Sequence, residues 1–485
     1  AITFFKMLPQ SLQHHPLPRT WRARGRAWRG GANGRKIIDM TLSRRNILGR
    51  TLAGLAAFGL ASPARAKMAG KSVAVIGAGM AGLAAAGALA RAGADVTIYE
   101  ARARIGGRVV TSTLWPDLPC DLGASWIHGP IGNPIKKLAK AAGAATVRTS
   151  YESSAAFAGA EEVDNDIDSD EWAEAARKSA GRAPADISLK EALIALRVMK
   201  VKTAADIEVL AANVHLAIEH EYGGDWGSLS ARYFDMGEEF AGEDVLFPQG
   251  YGALATYAAK GLTIKTGAEV TRLTPRDKGV TIDFADGQSI RADAAIVTLP
   301  LGVLQSGRVA FDQPLARKRQ AAIDSLGMGL LNKVFLRFDK KLDLPAVDWF
   351  EKLDAPRKLF PEWVNLAHVL GKPALLGFNA AASADDLERA SDKETVSAAT
   401  DALRAMFGSR FPAPIASQIT RWRADPLALG SYSYHAVGAA KSARDDLAGA
   451  DWDGRIVFAG EACSADHPST VHGAWMSGLE AAREI

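Results

Sequence analysis

Apolar residues along the chain fall into short runs set off by glycine turns. Val73–Ile76 is a β-rich run that enters Gly77-Ala78-Gly79-Met80-Ala81-Gly82. A helix of small residues follows, then a second β-rich run, Val96–Tyr99, closed by Glu100. Strand, tight turn, helix and strand in this order predict an α/β dinucleotide-binding unit. Residues 186–221 carry a helical period, whereas 328–338 and 374–380 read as strands. Thr51–Ala61 is the longest apolar run near the start, and it is too short to span a bilayer as a helix.

Each glycine of the first turn has a physical task. Gly77 allows the tight turn, Gly79 lets a pyrophosphate approach the backbone, and Gly82 lets the helix pack on the strand. The helix start then offers free N–H groups and the positive end of its dipole. Glu100 stands where a carboxylate accepts from ribose hydroxyls.

Charge is unevenly distributed. The 485 residues carry a net +4, yet residues 1–66 hold 12 of the 58 Lys and Arg and one acid, Asp39. The rest of the chain is therefore net −7, which excludes a basic nucleic-acid surface. Cys120 and Cys463 make no disulfide framework and no metal-ligand spacing, so no metal site is expected. Arg44-Arg45 within Thr41–Leu48, the run Thr51–Ala61 and Ala64-Arg65-Ala66 read together as a twin-arginine signal. That reading predicts cleavage before Lys67, the export machinery as a partner, and a periplasmic or secreted enzyme with no stable membrane anchor. Residues 1–39 read as a disordered or untranslated basic segment, and 40–66 as the signal.

Ala101-Arg102-Ala103-Arg104-Ile105-Gly106-Gly107-Arg108 after Glu100 resembles the flavin amine oxidases and their relatives. Further stretches extend the resemblance over 71–485. Asp121-Leu122-Gly123-Ala124-Ser125-Trp126-Ile127-His128-Gly129 is similar to the polyamine oxidase version of the segment that passes the flavin ring. Pro248–Gly252 through Val270, then Ala292-Asp293 to Pro300–Leu304, Leu331–Phe338, Phe458–Glu461 and Ser469–Ala474 complete it.

The resemblance implies non-covalent FAD, because Ser431 stands where monoamine oxidases carry the cysteine of the flavin thioether. It implies a discontinuous Rossmann-like FAD domain at 71–150, 246–308 and 450–485. An α+β substrate domain of mixed sheet and helices is expected at 151–245 and 309–449. Implied FAD contacts are Gly77, Gly79, Gly82, Glu100, Arg102, Gly107, Arg108, Gly123, Ala124, Ser125, Trp126, Val270, Trp422, Gly460, Glu461, Thr470 and Val471. Lys333 matches the lysine that holds a water at flavin N5, although strand alternation alone leaves its direction open. His128, Tyr432 and Thr470 are the implied substrate contacts, with Thr470 in place of a tyrosine of the aromatic cage. An acidic stretch, Glu219, Glu221, Asp225, Asp235, Glu238, Glu239, Glu243 and Asp244, adds candidates for holding ammonium groups.

The implied reaction is oxidation of an amine, with a polyamine expected, to an imine that hydrolyses to aldehyde and amine. Dioxygen is the expected acceptor and hydrogen peroxide the product. An L-amino-acid oxidase, a periplasmic amine dehydrogenase with another acceptor, and a non-catalytic FAD-bound partner protein stand as alternatives.

Overall fold

The computed structural model describes residues 68–165, 167, 169–196, 203–353 and 359–485. The proposed signal and its cleavage point lie outside the described residues.

Ser72–Ile76 lies between Asp95–Glu100 and Ala294–Val297, and all three strands run parallel. Thr263–Thr266 and Ile456–Phe458 extend the parallel sheet on its two sides, and Gly449–Asp451 closes one edge antiparallel. Its strands bury both faces. Val73, Val75, Ile98, Ile296 and Val457 point into one core, while Ala74, Ile76, Tyr99, Val297 and Phe458 point into the other. Such strands read as continuous apolar runs, as VAVI does.

Helix Met80–Ala92 packs on the first core together with helix Val471–Glu484. Their small residues set the distance. A Cβ on Gly478 would run into the Ala81 carbonyl, and one on Gly82 into the Gly77 carbonyl. Gly77 turns at φ 102°, a conformation that favours glycine. An antiparallel sheet containing Val270–Pro275, Val280–Phe284 and Ser289–Ala292 covers part of the other face.

The second large sheet has seven strands, ordered Ala416–Ile419, Leu331–Arg337, Ala374–Ala380, Glu362–Val364, Trp349–Lys352, Ser154–Ala158 and Glu161–Val163. It is mixed, since Trp349–Lys352 pairs parallel with Ser154–Ala158 and the other pairings are antiparallel. One face buries Val334, Leu336, Phe350 and Trp363 against residues of helix Asp392–Phe407. The opposite face carries Phe335, Trp349 and Phe378. The α/β fold with a separate mixed-sheet region is thus the expected one.

A helical group, Ser169–Ala180, Leu189–Leu196 and Ala204–Val214, has its own core around Trp172, Leu193, Leu210 and Trp226. Ala204–Val214 continues into a π-helical turn, His215–Glu219, where the His220 N–H reaches the carbonyl five residues back, and then into His220–Tyr222. No helix among the described residues is long and apolar enough to cross a membrane.

Candidate active site

A cavity of about 940 Å³ runs from the first glycine turn to the aromatic face of the mixed sheet. All the implied cofactor residues except Gly82 line it, as do Lys333, His128, Tyr432 and Thr470. Gly82 acts behind the turn, through the helix–strand contact described above.

The cofactor half is built from backbone. An added Cβ at Gly79 meets nothing within 4 Å, so the glycine opens directly onto the cavity at the start of helix Met80–Ala92. Gly107, at φ 60°, lies against the Gly79 backbone. Glu100 is buried and accepts from the N–H groups of Ala78 and Arg102, both at 2.8 Å. The Arg102 guanidinium reaches Asp425 at 2.8 Å. Glu461 accepts from Arg108 at 2.9 Å and from the Ser433 hydroxyl at 2.6 Å. Burial opposes ionisation of Glu461, but Arg108 and Arg444 outweigh it and hold its carboxyl below the usual range. Thr470 caps helix Val471–Glu484. Its Oγ1 accepts from Gly473 N–H and donates to the His467 carbonyl, each at 2.9 Å.

Lys333 faces inward and is 5 % exposed. The register settles its direction, because Lys333 pairs with Phe378 and shares the cavity face with Phe335. Its Nζ donates to Asp121 O at 3.0 Å, Gly123 O at 2.5 Å and Ser125 Oγ at 2.6 Å. All three ammonium protons are therefore spoken for by one segment, and a water at Nζ must share or displace one of these bonds. Burial lowers the Lys333 pKa and raises that of Asp121 beside it. The same segment is wedged from behind. A Cβ on Gly123 would overlap the Arg108 carbonyl, the Ala124 N–H binds that carbonyl, and Trp422 Nε1 donates to Leu122 O at 3.1 Å.

The substrate half is aromatic and acidic. Tyr151 stacks on Trp349 at 4.4 Å and Trp349 on Trp126 at 5.6 Å, and the Lys333 ammonium lies 5.5 Å from the Trp126 ring. This column leads from Tyr151, which is 55 % exposed, to the inner lysine. The Tyr432 hydroxyl donates to His220 O at 2.7 Å, which fixes its ring. His128 meets Asp244 at 2.6 Å. Burial opposes its protonation, but Asp244, then Glu221 and Glu239, carry its pKa above the usual value. Burial pushes Glu221 up to about 7 and Glu362 up to about 8, while His220, 2.9 Å from Glu362, is pushed down to about 4 by burial.

Only half of the acidic stretch reaches the cavity, namely Glu221, Glu238, Glu239 and Asp244. Glu219 is buried on His215 and the Trp226 N–H, Asp225 holds the Gly227 N–H, Asp235 pairs with Arg177, and Glu243 pairs with Arg148. Glu351, Glu362, His220, Tyr151, Trp349 and Arg444 line the site without a sequence signal that marked them. Glu351 and Glu362 sit opposite one another on neighbouring strands.

The model of the flavin containing amine oxidoreductases matches residues 80–485. The chain belongs to that family. Polyamine oxidase 2 of Arabidopsis thaliana is 33% identical over 448 residues, 87% of this chain and 89% of that protein. Lysine-specific histone demethylase 1 homolog 3 of Oryza sativa subsp. indica is 34% identical over 85% of this chain, which spans 54% of that longer protein. A solved putrescine oxidase double mutant, redesigned in cofactor binding, has the same fold, with a TM-score of 0.68 and 21% identity over 86% of this chain and 98% of its own.

As a member of this family the protein is a flavin-dependent amine oxidase that holds FAD non-covalently and produces hydrogen peroxide. The residues fit that cofactor. The open face of Gly79, the two helix starts at Met80 and Val471, and the buried carboxylates Glu100 and Glu461 all meet one cavity. Ser431, a residue that cannot form a flavin thioether, exchanges hydrogen bonds with the Leu331 backbone.

Proposed function

We propose that this amine oxidase acts on polyamines. The observation that carries the reading is the lining of the substrate half. Glu221, Glu238, Glu239, Asp244, Glu351 and Glu362 surround it, and among the described lining residues Lys333 is its only lysine or arginine. Ionised carboxylates in a partly dry cleft hold ammonium groups at a distance from the reacting nitrogen, and the stacked aromatic column favours their passage. The relative named polyamine oxidase supports the same substrate class.

FAD supplies the two-electron acceptor, which dioxygen reoxidises. The chain's own residues do the rest. Lys333 locks Asp121–Ser125 in place and puts a positive charge on the cavity wall, where it favours negative charge as it develops and positions a water. Tyr432 and Trp126 confine the reacting carbon, and His128 and Asp244 meet an ammonium on the way in. Arg102, Arg108 and Glu461 bind the cofactor, with Val270 and Trp422 as apolar walls. The division of labour follows 71–150, 246–308 and 450–485 for FAD, and 151–245 and 309–449 for substrate. It is supported by the five parallel strands falling in the first set and all seven mixed-sheet strands in the second.

An L-amino-acid oxidase needs an arginine for the substrate carboxylate. Arg337 is engaged with Asp117 and Arg421 with Asp392, and neither lines the cavity. A peroxide assay over polyamines, aralkylamines and amino acids, with dichlorophenol-indophenol as an alternative acceptor, tests the reading. Polyamines are expected to give the highest kcat/KM with dioxygen. A higher value for a simple aralkylamine refutes the substrate class and leaves the flavoenzyme intact. Export by the twin-arginine route is proposed on Arg44-Arg45 and the short apolar run. Changing both arginines to lysine should strand active, FAD-loaded enzyme in the cytoplasm, and unchanged export sinks that idea.

A further inference from the structure

The cavity wall around Glu461 carries more positive charge than it balances. One Glu461 oxygen accepts from Arg108 and the other from Ser433 Oγ. That hydroxyl in turn accepts from Arg444 Nη1 at 2.7 Å. The serine is thus wedged between a guanidinium and a carboxylate. The other hydrogen bonds of Arg444 among the described residues run to neutral carbonyls, Ala462 O and Ser433 O, both at 3.4 Å. Two guanidiniums therefore share one carboxylate, which leaves one surplus positive charge.

Arg444 is 5 % exposed, so water screens that charge poorly. A buried cation without its own carboxylate is costly unless an anion joins it. Arg444, Ser433 and Glu461 line the same cavity as Ser469, Thr470 and Val471, where the last helix adds the positive end of its dipole. In the family's reaction a hydride leaves the α-carbon of the amine and the product departs as a cationic imine. An FAD held by these residues would take up the two electrons and the proton of that hydride and carry one negative charge.

We propose that Arg444 supplies a permanent positive charge that raises the reduction potential of the bound FAD and holds its reduced form as the anion. This inference rests on the flavin assignment and is independent of which amine is oxidised.

The test compares Arg444→Lys, Arg444→Gln and Arg444→Met by dye-equilibrated reductive titration of the holoenzyme, with flavin content and thermal unfolding measured alongside. Gln and Met remove the charge, while Gln keeps a donor for Ser433 and guards against a packing failure. Both neutral variants should lose at least tenfold in the two-electron reduction equilibrium, a downward shift of about 30 mV. Lys should stay close to the parent potential. Neutral variants that hold FAD at the parent potential overturn the proposal. A Lys variant that falls as far as Gln overturns it as well, because packing and not charge would then set the potential.

Discussion

The two halves of the cavity recognise opposite charges by different means. The cofactor half uses backbone geometry, with Gly77, Gly79 and Gly107 exposing peptide groups at a helix start and Arg102, Arg108, Arg308 and Arg444 around them. Its carboxylates are already engaged. Glu100 accepts from two N–H groups, Glu461 from Arg108, and Glu269 lies 3.9 Å from Arg308. The substrate half uses side chains on strands and helices, and its acids meet softer partners, such as His128, His220 and Asn165. Lys333 stands at the junction. The difference teaches that an anion is met here by preformed dipoles, and a cation by side-chain carboxylates, of which burial pushes Glu221 up to about 7 and Glu362 up to about 8.

The junction gives the largest expected effect. Lys333→Met matches the length of the side chain but cuts all three bonds to Asp121–Ser125, so turnover should fall by roughly 100-fold or more while apparent substrate affinity changes far less. Stopped-flow traces with both half-reactions near the parent rate would show that the lysine does no more than pack. Next is Gly79→Ala. Its methyl meets no protein atom, so the apoprotein should unfold at an unchanged temperature, while FAD binding weakens about tenfold or more through crowding of the cofactor. Equal FAD affinity would break the idea that this glycine faces the cofactor.

Above about pH 8, where Glu362 is ionised, Glu362→Gln should raise KM for a polyamine about tenfold, the cost of one charge-assisted hydrogen bond, and leave an aralkylamine nearly untouched. A parallel loss with both substrates would remove the glutamate from ammonium recognition. The smallest effect is in pH. Glu362 near 8 and Glu221 near 7 take up protons as pH falls and lose their attraction for ammonium. KM for a polyamine should therefore rise by a few-fold from about pH 8.5 to about pH 6.5. The slope should flatten in the Glu362→Gln, Glu221→Gln double variant, and an unaltered slope in that variant assigns it elsewhere.

The cofactor half was legible because its information is local. Turn, helix start and acid lie within about 25 residues of one another, and glycine spacing encodes backbone shape directly. Lys333 was legible as a charge within an apolar strand, but its burial and direction needed the pairing with Phe378. The acidic stretch was legible only as composition. It is split by the winding of the chain, so Glu221 and Asp244 reach the cavity while Asp235 and Glu243 turn to arginines. Glu351 and Glu362 lie on consecutive paired strands, Tyr151 lies far from both in sequence, and all three have ordinary residue neighbours. Nothing short of the sheet register places them together.

The π-helical turn at His215–Glu219 accommodates one residue more than a regular winding would. A helix advances about 100° per residue, so the same residues wound as a regular α-helix would turn everything beyond this point by that angle. Glu221 and Tyr222 would rotate off the cavity wall, and the His220 carbonyl would leave the Tyr432 hydroxyl. The bulge therefore sets the amine-binding surface from outside it, because the segment carries one residue more while the side chains beyond keep the face they would have in a helix one residue shorter.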